Sequence, residues 1–483
     1  MQKIKDISIQ YYFYTIYAAV IMIAVLGSLM TGFYPILGLP LGVLVVYVGV
    51  VDFRKLFYLL LMCIPLSVEF YLPNGFATDL PSEPLIVGLT LLCIYYLFAH
   101  LRDIDGAFFK HPIMLVLLLH LAWMLIAALN SQLLFVSVKF FIAKMWYILV
   151  FVILTGILIK SEADVRQVFW WVFIPLVFTV VVILFQQNAA GFTLKDSHHA
   201  MRPFYRNHVV YAALLSLFLP YTFLARTWYE RWSGKWWVVI IGMIIILIGI
   251  QLSFTRTAYI ALMIAFGAYI IIRMRLMKLA IGLSLVAVIA GLIFLSHNNK
   301  YLDYAPNYET TISHYDFGSL IEATYNMEDV STMERLYRWV AAVQMSKEDL
   351  VTGFGPGNFY NFYKGYTVSS FETYVSDNPE KSGIHNYYLM MLTDQGIPGL
   401  LIFVLLSIVI LIKGEQIYHS SSSPTLRKII MTALLSIVII DAFLIINDLI
   451  ETDKVGSFFF INIAILINMD KLSSSARNSM IPS

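Results

Sequence analysis

Apolar stretches of roughly 17 to 22 residues follow one another along most of the chain and are separated by short polar segments. A helix of about 20 residues crosses a hydrocarbon layer of about 30 Å, so each stretch is long enough to span a bilayer. The pattern predicts fourteen spans, at 14–33, 35–51, 56–72, 84–101, 112–129, 137–159, 168–185, 208–225, 236–253, 256–272, 279–295, 397–412, 429–446 and 455–469. We therefore predict an all-α polytopic membrane protein with about 12 to 14 transmembrane helices.

Composition supports this class. The 483-residue chain is 60% hydrophobic and 13% charged, which excludes a soluble globular protein. The first stretch follows Lys3 and Lys5 and lacks a small-residue cleavage site, so we expect it to remain as the first span. Cys63 and Cys93 both fall inside predicted spans, where cysteine is a small apolar filler. No basic stripe indicates nucleic-acid binding.

A single long polar segment, Ser296 to Gly383, interrupts the hydrophobic pattern. Most of the Lys and Arg residues fall in segments that a fourteen-span topology places inside together with both termini, which puts the long segment outside. The sequence thus predicts a transmembrane bundle over 1–295, a large periplasmic loop with short helices and the catalytic region over 296–396, and further helices with a short cytoplasmic tail over 397–483.

Two motifs lie within the long loop. Ser331-Thr332-Met333-Glu334 has the spacing of a capping box, which predicts a helix with Ser331 as its N-cap. This helix would carry Arg335, Arg338 and Trp339. It leads into the glycine-rich segment 353–358, whose amides either cradle a phosphate or simply pack a loop, since the segment lacks the G-K-[ST] of a nucleotide loop.

His385 stands where the long loop returns to the membrane and is followed by Asn386. Leu389 and Leu392 follow His385 at helical spacing, which predicts one helix face with the imidazole above an apolar stripe. The Gly396–Gly399 segment is expected to break this short helix before the next span. A histidine at the outer interface has the titration range for general acid or base catalysis.

Five arginines on the predicted outer side are candidates to bind an anionic group: Arg202, Arg206, Arg256, Arg335 and Arg338. Forked guanidinium groups stabilise the charge that grows on a diphosphate leaving group as its bond to the sugar breaks. The alternative for Arg202, Arg206 or Arg256 is an interfacial arginine whose side chain extends toward water.

Other polar residues carry weaker predictions. Lys144 lies in the middle of a predicted span and is either functional or part of a structural pair with Asp441 or a backbone group. His198, His199 and His208 lack the carboxylate or cysteine companions of a metal site, so no metal is predicted.

Three segments in this order resemble the O-antigen ligase and polymerase superfamily: residues 253–258 around Arg256, the Arg335–Trp339 helix leading into Gly353–Phe359, and the His385–Gly399 run. The resemblance covers roughly Arg202 to Ile412. Asp394 stands where that superfamily more often has Glu.

The resemblance implies a metal-independent, cofactor-free GT-C-type glycosyltransferase at the periplasmic face of the bacterial inner membrane. Its donor would be a glycan on undecaprenyl diphosphate, and its acceptor a hydroxyl of the lipid A core in lipopolysaccharide biosynthesis. By the resemblance, His385 is the catalytic base, and Arg256 with an arginine near Arg202 holds the diphosphate. Asn386, Gly355 and Gly357 would support the site.

Alternative functions remain open on the sequence. A polysaccharide polymerase and a protein O-oligosaccharyltransferase would use the same donor with another acceptor. A flippase of lipid-linked sugars would belong to a different class, but transporters often have internal repeats and short loops. This chain has no fixed repeat and has one long outer loop, which favours the ligase.

Overall fold

The computed structural model describes residues 2–31, 38–71, 77–102, 105–189, 191–192, 200–306, 311, 325–378 and 381–478. Its helices are α1 Gln2–Thr31, α2 Leu39–Val51, α3 Phe53–Leu66, α4 Ser82–Ala99, α5 Gly106–Phe109, α6 Pro112–Leu129, α7 Leu134–Tyr147, α8 Thr155–Leu158, α9 Glu162–Ala189, α10 His208–Ala225, α11 Gly234–Gln251, α12 Arg256–Arg273, α13 Met277–Ser296, α14 Val330–Ser346, α15 Phe359–Phe362, α16 Tyr387–Ser420, α17 Pro424–Leu444 and α18 Asp453–Asn478. A π-helical stretch, Ile148–Leu154, joins α7 to α8. Short 3₁₀ segments are Arg226–Trp228, His297–Tyr304, Tyr363–Tyr366, Ser369–Phe371 and Leu449–Glu451.

The all-α polytopic prediction is confirmed. Within the described residues, ten helices are long and apolar enough to cross a membrane. The other four predicted spans coincide with α1, α2, α3 and α17, so all fourteen hydrophobic stretches form helices. α17 carries Arg427, Lys428 and Asp441 among its apolar residues, and the apolar parts of α1 and α2 are short.

The third predicted span was too long at its carboxyl end. α3 ends at Leu66, and Val68–Tyr71 forms strand β1, which pairs antiparallel with strand β2, Ala77–Leu80. The register places Glu69 directly opposite Asp79. The prediction extended too far because the apolar and aromatic residues up to Tyr71 are compatible with either a helix or a strand. In Val68–Tyr71 polar and apolar side chains begin to alternate, as in a strand with one exposed face.

The core of the bundle is α18, which is buried along most of its length, with α10 and α17 packed beside it. Buried polar side chains form hydrogen bonds between these helices. Asn462 of α18 donates to Ser436 Oγ of α17 at 2.9 Å and accepts from the Tyr221 hydroxyl of α10. Such bonds between apolar helices fix their rotation about each other. By contrast, α13 is apolar and buries only Met277, so it lies at the lipid-facing edge of the described bundle.

The long loop contributes one substantial helix to the described residues, α14. The predicted helix is confirmed, but its N-cap is wrong. Asp329, two residues before Ser331, caps it by accepting from Thr332 N at 3.1 Å. Glu334 does not reach back to the helix start, because Thr373, Ser376 and Arg338 hold its carboxylate.

Candidate active site

His385 lies immediately before α16 rather than on it. Its backbone is in the left-handed region, with φ of 55°, and Asn386 is the N-cap, accepting from Leu389 N at 3.0 Å. The predicted helical face that joined His385 to Leu389 and Leu392 was therefore wrong, since an N-cap and the residue before it do not have helical backbone angles. The expected break at Gly396 is confirmed by its φ of 68° within α16.

Asp448 is the carboxylate that faces His385. The two side chains approach to 3.8 Å between His385 Nδ1 and Asp448 Oδ1, and about a third of each side chain is exposed. The distance is longer than a hydrogen bond, although catalytic hydrogen bonds commonly shorten when a substrate binds. Asp448 lies between α17 and α18, and burial raises its pKa. A carboxylate at this position can orient an imidazole and stabilise its protonated form.

Guanidinium groups surround the histidine. Burial lowers the pKa of His385 to about 3, and the charges of Arg335, Arg338 and Arg206 act in the same direction. His385 is consequently neutral at physiological pH, which is the form that accepts a proton. Three of the five predicted arginines are thus brought around His385, from α14 and from the segment before α10.

Arg338 is engaged within the protein. Its guanidinium donates to Glu334 Oε2 at 3.1 Å and to the Gly383 carbonyl oxygen at 3.3 Å. Glu334 Oε1 in turn accepts from Thr373 Oγ1 at 2.5 Å and from Ser376 Oγ at 2.6 Å. Arg338 is also buried. This network holds the chain two residues before His385, so it favours a positioning role for Arg338.

Arg256, at the start of α12, forms a salt bridge of 3.0 Å with Asp329, the N-cap of α14. The pair ties the long loop to a membrane helix. Arg335 lies six residues further along α14, and burial lowers its pKa to about 10, aided by the nearby charges of Arg256 and Arg338 and opposed by Asp329. Two of these three guanidinium groups are paired with carboxylates, Arg256 with Asp329 and Arg338 with Glu334, which leaves one excess positive charge that an anion would neutralise.

Arg202 and Arg206 are exposed at a cavity of about 440 Å³. Its walls are the β1–β2 hairpin with Glu69 and Asp79, the 202–206 segment, and residues 451–454. Neither arginine forms a salt bridge within the described part of the chain. The charge of Arg206 acts on both His385 and Asp448, so this arginine couples the cavity electrostatically to the two groups.

The glycine-rich segment packs against α16. Gly355 N donates to the Asp394 carbonyl oxygen at 3.0 Å and Gly357 N to Asp394 Oδ2 at 2.9 Å. Both glycines have positive φ, and a Cβ on Gly357 would lie 2.3 Å from the Phe140 ring. Since both amides already have acceptors, the structure favours the loop-packing alternative over a phosphate cradle. The same contact gives the Asp394 side chain a structural role as the acceptor for Gly357 N.

Lys144 is paired with Glu451, at 2.6 Å, and not with Asp441 as one alternative proposed. Of the three histidines weighed as metal ligands, His198 and His199 lie outside the described residues, and His208 begins α10. Across the ranges that the structure describes, no group of three or more His, Cys, Asp or Glu side chains is arranged to hold a metal ion.

Two residues of this site, Asp448 and Glu451, were missed by sequence reasoning. Each is a single acid in a short turn between two hydrophobic helices, and no motif surrounds either of them. The only available signal was the presence of three acidic residues, Asp448, Glu451 and Asp453, so close to a predicted span, where carboxylates are costly unless they are paired.

Comparison with known proteins agrees with this architecture. Residues 241–404, from α11 to α16, match a family model described as O-antigen ligase. No curated protein matches the chain. The match confirms the resemblance to the O-antigen ligase superfamily, and the membrane-length helices of the described residues fit a multi-pass membrane protein. The match also supports a glycosyltransferase activity of the ligase or polymerase kind. His385, Arg256, Arg335 and Arg338 lie inside the matched segment, whereas Arg206 and Asp448 lie outside it.

Proposed function

We propose that the chain transfers a glycan from undecaprenyl diphosphate to an acceptor hydroxyl at the periplasmic face of the inner membrane, without a metal ion. The observation that supports this most directly is a neutral histidine placed between a carboxylate, Asp448, and a set of guanidinium groups. The family match supports the reaction class. The acceptor that we favour is a sugar hydroxyl of the lipid A core.

In the proposed reaction, His385 accepts the proton of the acceptor hydroxyl as its oxygen attacks the anomeric carbon of the donor. The bond from that carbon to the diphosphate oxygen breaks, and undecaprenyl diphosphate leaves with the electron pair. Asp448 stabilises the imidazolium that forms, because a carboxylate beside a protonated imidazole favours the charged form. The proton then passes to solvent as products depart.

We assign the diphosphate to Arg206 and Arg335, supported by Arg202 and Arg256. Arg206 is exposed at the cavity and its charge acts on His385, and the charges of Arg256 and Arg338 act on Arg335. The leaving group gains negative charge in the transition state, so fixed cations lower the barrier more than they tighten ground-state binding. Neutralising Arg206 and Arg335 with the diphosphate also raises the basicity of His385 when the donor is present.

The proposal is tested with purified protein in proteoliposomes and a labelled undecaprenyl-diphosphate glycan. Lipid A core, a free glycan and a serine-rich peptide are offered separately as acceptors. The wild type should form a covalent product with lipid A core, and His385→Ala should lose about 10²–10⁴ in rate while remaining folded. His297→Ala removes an exposed histidine of the same loop and should retain activity.

Each outcome identifies one alternative. Transfer to the free glycan alone indicates a polymerase, and transfer to the peptide alone indicates a protein O-oligosaccharyltransferase. Movement of the donor across the bilayer with no covalent product, unaffected by His385→Ala, would contradict the proposal and identify a flippase.

A further inference from the structure

Lys144 lies near the middle of the bundle, in α7, with only 3% of its surface exposed. Its ammonium donates to Glu451 Oε1 at 2.6 Å, and the Tyr387 hydroxyl donates to the same oxygen at 2.9 Å. Lys144 Nζ also lies 3.4 Å from the Tyr387 hydroxyl. One carboxylate oxygen therefore holds two donors that come from different helices.

These contacts join the two segments that carry His385 and Asp448. Tyr387 follows His385 by two residues and is 1% exposed, so its position is fixed by packing. Glu451 follows Asp448 within one turn, and its amide donates to the Asp448 carbonyl oxygen at 3.2 Å. The Glu451 side chain is thus a bridge between the beginning of α16 and the turn before α18.

Lys144 stabilises this bridge from within the bundle. The Lys144 ammonium lies 5.7 Å from the centre of the Phe460 ring of α18, and the Tyr147 hydroxyl donates to the Glu451 carbonyl oxygen at 3.4 Å. Lys144 is the buried partner of this pair and Glu451 is mostly buried at the wall of the cavity, so each charge relies on the other and the position of Glu451 depends on Lys144. A charge left alone there would move toward water and carry its backbone with it.

We propose that Lys144 is a positioning residue of the transferase site, which acts through Glu451 and Tyr387 to hold His385 and Asp448 at their separation. The inference rests on the proposed function, because it assigns a role in that reaction. Lys144 itself takes no part in proton transfer or in binding of the diphosphate. Its effect is on the geometry of two groups that are 3.8 Å apart.

The test compares Lys144→Met with the double variant Lys144→Met/Glu451→Gln. Methionine keeps the length of the side chain and removes its charge, which leaves Glu451 without a cation. The single variant should lower kcat by about 10- to 100-fold, since small displacements of reacting groups have effects of this size, with little change in KM for the donor. In the double variant no charge is buried, and the amide oxygen of the introduced glutamine still accepts from Tyr387, so most of the lost kcat should return.

Lys139→Met is the matched control, because Lys139 is exposed on the same helix. It should retain the wild-type kcat. A Lys144→Met protein with normal kcat at a temperature where it is folded would overturn the inference. A loss of kcat that the double variant does not restore would also overturn it, since Lys144 would then act through its own charge.

A second measurement does not depend on turnover. His385 is partly exposed, and its reaction with diethyl pyrocarbonate can be followed by mass spectrometry of the peptide. The rate of this modification should change at least several-fold in Lys144→Met and return toward the wild-type value in the double variant. Equal modification rates in all three proteins would contradict the inference. If the wild type shows no transfer, the proposed function fails, and the modification rates alone decide whether the bridge positions His385.

Discussion

His385 Nδ1 lies 3.8 Å from Asp448 Oδ1, although the two residues come from opposite ends of the α16–α17 helix pair. His385 precedes α16 and Asp448 follows α17. The chain crosses the bundle in α16 and crosses back in α17, which brings the two residues together. Arg206 acts on the charge of both groups from the segment before α10. With Arg335 and Arg338 of α14, the site is formed by four parts of the chain, and the O-antigen ligase match contains those with His385 and α14 but not those with Asp448 and Arg206.

Asp448→Asn should lower kcat by about 10²-fold or more, because asparagine keeps the shape of the side chain and cannot stabilise the imidazolium by charge. Steady-state kinetics with the labelled donor measure this effect. The double variant with His385→Ala should be no slower than His385→Ala alone, since groups that act as a unit are not additive. If the two losses multiply, the residues act independently, and Asp448 has another role.

The pH dependence of stability should report the lowered pKa of His385. Folding lowers the pKa of His385 from 6.5 to about 3, so between these values the unfolded state binds more protons at this residue. Its contribution to the free energy of unfolding therefore rises with pH across this window and is lost as pH falls toward 3. Thermal unfolding of the wild type and of His385→Ala, measured from acidic to neutral pH, should differ in slope in this direction.

The contribution of Asp448 to the free energy of unfolding has the opposite sign. Folding raises the pKa of Asp448, so at a pH above the pKa in the unfolded state its ionisation disfavours the folded state. Asp448→Asn removes the contribution of this carboxyl group and serves as the control for the pH dependence of stability. In the kinetic profile, kcat/KM should show no acidic limb belonging to His385 between about pH 6 and 8. A limb near the ordinary histidine value that persists in Asp448→Asn would show that His385 titrates normally in the free protein.

Much of the fold could be predicted from the sequence, since hydrophobic length alone placed a helix at each of the fourteen stretches. Local signals near the site were less reliable. The Ser331 capping box was plausible, but Asp329 caps α14 because Arg256 and Thr332 hold its carboxylate at that helix start. His385 was assigned to a helix because the i+4 and i+7 spacing does not show that the helix begins only after Asn386, its N-cap.

The partners of charged residues could not be predicted. Lys144 is paired with Glu451 rather than with Asp441, and the choice depends on how α7 and the turn before α18 meet. Asp448 had no sequence motif, because a single carboxylate in a short turn becomes a site residue only through the packing of distant helices. Tertiary proximity of this kind leaves no periodic pattern in one sequence.

Arg256 can now be tested for two roles separately. Arg256→Ala should inactivate the protein, and Arg256→Lys should be clearly impaired, because lysine keeps the charge and loses the forked geometry. If Arg256 acts only by fixing Asp329, then Asp329→Ala should reproduce the loss in kcat, and the double variant should be no worse. If Arg256 also contacts the diphosphate, Arg256→Ala should raise KM for the donor beyond the effect of Asp329→Ala.

A matched control for the arginine series is Arg273→Ala, at the other end of α12, where the guanidinium donates to the Tyr269 hydroxyl at 3.0 Å. This exposed residue should accept alanine with unchanged kinetics. Full activity of Arg256→Lys would contradict a requirement for guanidinium geometry and would favour an interfacial arginine.

Gly357→Ala should destabilise the protein. The residue has φ of 81°, where an L side chain costs about 1–2 kcal/mol, and the added Cβ would overlap the Phe140 ring. Unfolding followed by intrinsic fluorescence in detergent should show a lower midpoint. Gly365→Ala, in the same loop with open space around its Cβ, should change stability by about 0.5 kcal/mol or less. A stable Gly357→Ala protein that has lost donor binding would instead restore the phosphate-cradle interpretation.

The loop charges predict the orientation of the chain, which can be tested with cysteines in a variant that lacks Cys63 and Cys93, both of which are buried. Ser370 is exposed in the long loop, and Ser422 is exposed in the turn between α16 and α17, whereas its neighbour Ser421 is buried and would label poorly. A cysteine at 370 should react with an impermeant maleimide once the outer barrier is opened, and a cysteine at 422 should react only after lysis. The reverse labelling would place His385 on the cytoplasmic face, where a transfer reaction at the periplasmic surface cannot occur.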